Sequence, residues 1–308
     1  MKDEINPIRW IRALGGLLGR GLIVGAANVI LLMAGGAAAR AMSLPEPALG
    51  FPADAGQILW AEFAAGVIIG LTVGPFGARL ALGFWERTGW LFVTLLALNQ
   101  LLSVWEAVFF TTIPASDWTG PLFISAVEYA GLAALLAGLF RPRTGPRKLA
   151  DILAETLRRR RTVSWLARFF LAAALYVAVY FLFGTIAFPY VAEYYRDPGF
   201  GLHLTIPDIS VVLPLELCRG LAYALVLFPS IALLSAGGRR TGRAVAFWIV
   251  LLLVVLGSWL PILVAAFWPA PLRAAHGLEL TADGLVHGLL VVGLLSPGRD
   301  RPDTVRKD

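Results

Sequence analysis

The sequence predicts an all-α integral membrane protein. Of its 308 residues, 58% are hydrophobic and only 15% are charged, whereas a soluble domain has about 25% charged residues. The apolar residues occur in blocks of about 20, the length that a helix needs to cross the hydrocarbon core of a bilayer. No block alternates with a period of two, which excludes a transmembrane β-barrel. Because lipid offers no hydrogen bonds to the backbone, each block must be a helix.

We predict eight transmembrane helices, one for each apolar block. The blocks cover residues 17–39, 57–78, 88–110, 120–140, 166–188, 211–234, 243–266 and 281–296. The last block is short, so it needs snorkelling side chains or a thinner bilayer around it. Outside the helices we predict an interfacial N-terminal segment at 1–16, a basic cytoplasmic connector at 141–165 and a disordered cytoplasmic tail at 297–308.

An internal repeat predicts that the helices form two similar four-helix units, at 17–140 and 166–296. Three pairs of stretches match: 62–80 with 216–234, 87–89 with 240–242, and 127–139 with 282–294. The offset stays between 153 and 155 residues, which favours duplication of about half the chain. Because each unit has an even number of helices, both enter the membrane from the same side. We therefore predict a parallel tandem repeat, as in some transporters.

The distribution of Lys and Arg predicts which side of the membrane each loop faces. If the N-terminus is cytoplasmic, only four of the 26 basic residues lie on the outer side. These four are Arg40, Arg196, Arg219 and Arg273. Cytoplasmic loops are enriched in Lys and Arg. We therefore predict a multi-pass protein of a bacterial-type cytoplasmic (inner) membrane, with both termini in the cytoplasm.

The connector contains the longest basic run, Arg158–Arg161. Residues 148–161 form an amphipathic pattern whose apolar face holds Leu149, Ile152, Leu153 and Leu157. We predict a helix on the membrane surface, with the arginine run against anionic lipids of the inner leaflet. The basic residues are spread over short segments without interleaved aromatic residues, so nucleic acid is not a predicted partner. The pattern identifies no protein partner.

Few residues suit a metal centre or a covalent cofactor. The single cysteine, Cys218, excludes an intramolecular disulfide, and one Cys with three scattered His gives no zinc or iron–sulfur spacing. No phosphate-binding loop or dinucleotide-binding motif occurs. Glu62, Glu128, Asp283 and His287 suit a divalent ion, but their spacing is unspecific. The sequence therefore leaves cofactor and metal unknown.

Ionisable residues inside the predicted helices are the candidate functional residues. A carboxylate that faces lipid costs a few kcal/mol, so these side chains should face the bundle interior or a wet cavity. The main candidates for binding a substrate or ion are Glu62, Glu128, Glu216, Arg219 and His287. Weaker candidates are Glu106 near a helix end, Asp283 at a predicted helix start, and His276 and Glu279 in the preceding outer loop. We predict that the main candidates share one pocket in the outer half of the bundle; catalytic residues are unknown.

Helical spacing predicts two pairs among these candidates. Glu216 and Arg219 are three residues apart, and Asp283 and His287 are four apart, so each pair shares one helix face. The Asp283 carboxylate is positioned to hold the His287 imidazole in one tautomer. At the position matching Arg219 the first copy has Ala65, so the two units differ in charge. The structural alternative is that these polar groups only lock helices together.

Three classes of function fit these observations. The first is a transporter or permease with an outward-facing acidic vestibule, favoured by the repeat and the intramembrane carboxylates. The second is a membrane-embedded enzyme with a periplasm-facing site. The third is a non-catalytic subunit or assembly factor of a membrane complex.

The predicted orientation can be tested by cysteine accessibility. A cysteine placed in the connector of a variant lacking Cys218 should resist an impermeant thiol reagent in intact cells, because the connector is cytoplasmic. A cysteine at Ser116, in a predicted outer loop, is the control and should react. Rapid labelling of the connector would contradict the orientation.

Overall fold

A computed structural model describes residues 7–46, 54–142, 144–236 and 242–297. Of the predicted terminal segments, residues 1–6 and 298–308 lie outside the described residues. Within the described part, the regular secondary structure is helical, and the only strand-like pairings are two isolated bridges.

Eight helices of the described chain are long and apolar enough to cross a membrane, which confirms the predicted fold class. They are α1 (Pro7–Ala41), α2 (Ala55–Gly77), α3 (Phe84–Phe110), α4 (Thr119–Leu139), α6 (Thr162–Arg196), α7 (Ile209–Ser235), α8 (Gly242–Val264) and α9 (Ala270–Leu295). The short helix α5 (Leu149–Arg158) lies in the connector. The end of the bundle near α5 is called the connector face, and the other end is called the opposite face.

The ends of three helices differ from the predicted blocks. α1 is continuous from Pro7, so the described part of the predicted segment 1–16 belongs to the first helix, and its interfacial position stays a prediction. α6 continues to Arg196. α9 begins at Ala270 rather than at residue 281, because polar residues in its first turns pair with each other instead of breaking the helix. His276 and Glu279 therefore lie within a helix, and Asp283 lies near its middle, not at its start.

Helix contacts follow the same order in the two halves of the chain. In the first unit, α1 packs against α2 and α4, and α4 packs against α3. In the second unit, α6 packs against α7 and α9, and α9 packs against α8. Equivalent helices make equivalent contacts, which supports duplication; superposition of the two units over their whole length stays a prediction.

The interface between the units is also reciprocal. α2 packs against α8, and α3 packs against α7. Both α3 and α8 contain a π-helical segment, Leu96–Leu101 and Val255–Trp259, and these segments contact each other. These are the contacts that a twofold axis between the two π-helical segments would produce.

Matched glycines bring the first two helices of each unit into close contact. A Cβ atom at Gly66 would lie 2.5 Å from the Asn28 Cβ and 2.8 Å from the Gly25 Cα. A Cβ atom at Gly220 would lie 2.7 Å from the Tyr176 Cβ and 3.0 Å from the Ala173 Cα. Small residues permit such backbone approach between membrane helices. The contacts place Asn28 and Tyr176 at equivalent positions beside the two repeated glutamates.

The second helix of each unit is capped in the same way. Asp54 accepts a hydrogen bond from the Gly56 N–H, and Asp208 accepts one from the Ser210 N–H, each at 2.8 Å. These bonds satisfy N–H groups that lack a partner within the helix. The hydrogen bond from Ser210 also lowers the pKa of Asp208, since it stabilises the charged carboxylate.

The sequence predicts a connector helix on the membrane surface, with its apolar face in lipid. In the structure, most of this face contacts protein instead. Ile152 is 1% exposed and belongs to the main core, and Leu149 and Leu153 pack against that core. α5 contacts α7, so protein covers most of the apolar face, and only Leu157 of its four residues stays exposed. On its polar face, hydrogen bonds from Arg147 and Arg159 lower the pKa of Glu155.

Arginines satisfy the last carbonyl groups of the fourth helix in each unit. The buried Arg87 donates to the Ala137 carbonyl at 2.6 Å. Arg168 donates to the Leu294 carbonyl at 2.7 Å, and Arg160 donates to the Ser296 carbonyl at 3.2 Å. The last four carbonyl groups of a helix have no partner within it. Part of the basic charge at the connector face therefore stabilises helix ends.

Substitution of the matched glycines should destabilise the protein. We expect Gly66→Ala and Gly220→Ala to cost about 1–3 kcal/mol each, because a methyl group would overlap the neighbouring helix. The measurement is thermal unfolding in detergent. Gly138→Ala is the matched control, since a Cβ at Gly138 would meet no atom within 4 Å. Equal melting temperatures for Gly66→Ala and Gly138→Ala would contradict the close approach.

Candidate functional site

Polar residues within the bundle form two clusters, one in each unit. The first polar cluster consists of Asn28, Glu62 and Glu128, on α1, α2 and α4. The second polar cluster consists of Glu106, Tyr176, Glu216, Arg219, Tyr223, Asp283 and His287, on α3, α6, α7 and α9. Among the described residues, no hydrogen bond or ion pair joins the two clusters, so the single shared pocket stays a prediction.

A buried arginine organises the second polar cluster. The Arg219 Nη1 donates to both carboxylate oxygens of Glu216, at 2.9 and 2.8 Å. Its Nη2 lies 2.7 Å from the Glu106 Oε2. Glu216 is fully buried and Arg219 is 3% exposed, whereas the Glu106 side chain is 28% exposed. The predicted Glu216–Arg219 contact is thus present. Arg219, Glu216 and Glu106 are called the triad, and Glu106 is its one member that is accessible from outside the fold.

The role of Glu106 depends on tertiary packing. It is located near the end of α3, in the first unit, and it reaches an arginine of the second unit. Its position near a helix end makes it a weaker candidate on sequence alone. Nothing in its sequence neighbourhood indicates a partner more than 100 positions away. The packing of α3 against α7 places the two groups together.

His287 lies deeper in the second polar cluster and lacks a polar partner. It is 1% exposed, and neither ring nitrogen has a hydrogen-bond partner. Its ring instead packs at 4.9 Å from the Tyr176 ring and 6.0 Å from the Tyr223 ring. The expected hydrogen bond from His287 to Asp283 is therefore absent, although Asp283 lies one turn away. The Asp283 Oδ1 is also buried without a partner.

The tyrosines of this cluster were not among the sequence candidates. Tyr176 and Tyr223 are both buried, and their rings lie 5.3 Å apart. The guanidinium of Arg219 lies 5.9 Å from the Tyr176 ring centroid. A partial sequence signal exists, because Tyr223 is on the same helix as Glu216, two turns further on.

A third polar group lies nearer the opposite face, in the same unit. The His276 Nδ1 lies 2.9 Å from the Glu279 Oε2, and the Tyr195 hydroxyl lies 3.3 Å from the His276 Nε2. Tyr195, His276 and Glu279 are called the mouth group. Glu279 interacts electrostatically with Asp283 of the second polar cluster. Polar side chains thus follow one another from the opposite face toward His287.

The first polar cluster has a different balance of charge. The Asn28 Nδ2 donates to the Glu62 Oε2 at 3.1 Å and to the Glu62 carbonyl at 3.0 Å. Asn28 and Glu128 are buried, and Glu62 is half-buried. Glu128 lies close enough to Glu62 for their carboxylates to interact electrostatically. Ala65 occupies the position that corresponds to Arg219, and it is buried.

Neither cluster offers three His, Cys, Asp or Glu side chains to one metal ion. Within the described ranges, no group of three or more His, Cys, Asp or Glu side chains is placed to hold a metal ion. Comparisons of the chain with protein-family models, with curated proteins and with solved structures found no match.

Removal of Arg219 alone should lower the thermal stability of the protein more than removal of the whole Glu216–Arg219 ion pair. Arg219→Ala leaves buried carboxylates uncompensated, which costs about 3–5 kcal/mol for a fully buried charge. We expect Glu216→Gln combined with Arg219→Ala to melt at a higher temperature than Arg219→Ala alone, because only the more accessible Glu106 remains charged. Arg196→Ala, at an exposed helix end, is the control. A double variant no more stable than Arg219→Ala would show that the two groups are not coupled.

Proposed function

We propose that this multi-pass membrane protein is a transporter whose substrate binds at the second polar cluster. The observation that carries the proposal is the charge of the triad. Arg219 retains its positive charge in proteins, and it faces two carboxylates, Glu216 and Glu106. When both are ionised, the triad has a net negative charge in surroundings that solvate charge poorly. A positively charged substrate or a proton would neutralise it.

The accessibility of Glu106 supports a binding role over a purely structural one. A buried ion pair that only locks helices has no need of a third, accessible carboxylate. Glu106 is 28% exposed and lies 2.7 Å from the guanidinium. A cation that binds Glu106 would weaken its contact with Arg219, which would couple substrate binding to the packing of α3 against α7.

The polar groups around the triad support a path to the opposite face. The mouth group lies nearer that face than the triad does. Its Glu279 interacts electrostatically with Asp283 of the second polar cluster. The unpartnered atoms of Asp283 and His287 are hydrogen-bonding groups that no protein atom satisfies. Buried polar groups without partners are costly, so a bound substrate or water would stabilise them.

We also propose the orientation and the lipid contact that the basic residues favour. The connector face would be cytoplasmic, in a bacterial-type inner membrane, and the vestibule would open outward. Arg158 and Arg161 are exposed at this face and suit anionic headgroups. Arg160 is already engaged with the Ser296 carbonyl, so it contributes less to lipid binding.

Binding of cations can be measured without knowledge of the natural substrate. A panel of organic amines should include compounds that raise the melting temperature of the purified protein, and these should be taken up by proteoliposomes. Glu106→Gln should abolish both effects, because it removes the accessible charge. Glu193→Gln, an exposed carboxylate near the same face, is the matched control.

The outcome separates the three classes of function. Uptake that requires Glu106 supports a transporter. Chemical conversion of a stabilising compound without uptake would instead indicate a membrane-embedded enzyme. Absence of binding, uptake and turnover would overturn the proposal and favour a subunit or assembly factor.

A further inference from the structure

We propose that the first polar cluster is a binding site for a monovalent metal cation of the Na⁺ class. The site is formed by the carboxylates of Glu62 and Glu128 and by the side-chain oxygen of Asn28. It lies in the other unit from the proposed substrate site. The proposal does not depend on transport, because it concerns binding to the purified protein.

The carboxylates of the first polar cluster lack a basic partner. In the second unit, Arg219 neutralises the repeated glutamate Glu216. In the first unit, Ala65 stands at the corresponding position and is 3% exposed. Among the described residues, neither Glu62 nor Glu128 forms an ion pair with Lys or Arg. Two interacting carboxyl groups in an apolar bundle stay ionised only beside a positive charge and otherwise bind a proton, and no Lys or Arg side chain provides that charge.

The first polar cluster also contains an amide oxygen without a partner, the Oδ1 of Asn28. Asn28 is fully buried, and its Oδ1 has no hydrogen-bond partner. Its Nδ2 donates to Glu62, and the amide also lies beside Glu128. Buried polar atoms nearly always have a partner. The amide nitrogen of Asn28 faces Glu62, so rotation of the amide would turn this oxygen toward a cation bound beside the carboxylates and give it a partner.

The small number of oxygens favours a monovalent ion. The three side chains present four carboxylate oxygens and one amide oxygen. Ca²⁺ binds 6–8 oxygens, and Mg²⁺ retains several water molecules in its sites. The neighbouring Tyr129 is buried and is already engaged in a hydrogen bond with Asn99. One monovalent cation with one protonated carboxyl group neutralises the cluster.

Na⁺ binding can be tested by comparing the melting temperature of the purified protein in NaCl, KCl and choline chloride at equal ionic strength. We expect the melting temperature to rise with the logarithm of the Na⁺ concentration, because the ion binds only the folded state. KCl should have a smaller effect and choline none. Glu128→Gln should lose the response to Na⁺, whereas the exposed-site variant Glu193→Gln should retain it.

A second variant gives the first unit the arginine that the second unit has at the corresponding position. Ala65→Arg introduces the guanidinium that the second unit has, so it should remove the response to Na⁺. If the substituted proteins do not fold, binding of radioactive Na⁺ to the unaltered protein still tests the site. Identical melting in all three salts, without Na⁺ binding, would overturn the proposal, as would a response that survives Glu128→Gln. Equal or stronger stabilisation by CaCl₂ would overturn the assignment to a monovalent ion.

Discussion

A charge inside an apolar bundle is stable only when a partner neutralises it, and this requirement organises the contact between the two units. Arg219 is 3% exposed, and its partners come from both sides of the interface, Glu216 from its own helix and Glu106 from α3. Loss of the arginine would leave an uncompensated buried charge, which is far more costly than loss of the pair. The position of α3 against α7 is therefore tied to the charge of a single side chain.

The two halves of the chain combine similar helix contacts with two different chemical environments. Gly66 and Gly220 allow the same close approach of neighbouring helices. In both units a glutamate lies one helical turn before this glycine. At the two matched positions where the second unit has Arg219 and His287, the first has Ala65 and Leu132, and both of these are buried. One cluster thus contains a fixed positive charge, whereas the other contains two carboxylates and an amide.

The interface between the units contains two segments of irregular helix geometry. The π-helical segments of α3 and α8 contact each other, and π-helical turns within α-helices are frequent at functional sites. Gly257 lies in the second of these segments, and a Cβ atom added there would meet no atom closer than 3.9 Å. Glu106 lies on α3, beyond the π-helical segment, so a shift of that segment would move a carboxylate of the triad relative to Arg219.

The membrane class and the eight helices can be read from the sequence, because they depend on the length of apolar blocks, and the constant offset of the repeat predicts the two units. The sequence also determined the Glu216–Arg219 pair, since residues three apart share a helix face. The packing of the helices was needed to show that Glu106 completes the triad and that Asn28 contacts Glu62, because these partners come from different helices. It also decided that the apolar face of α5 contacts protein, and that His287 packs against tyrosines rather than bonding to Asp283. Periodicity identifies which residues share a face, but only helix packing determines what that face meets.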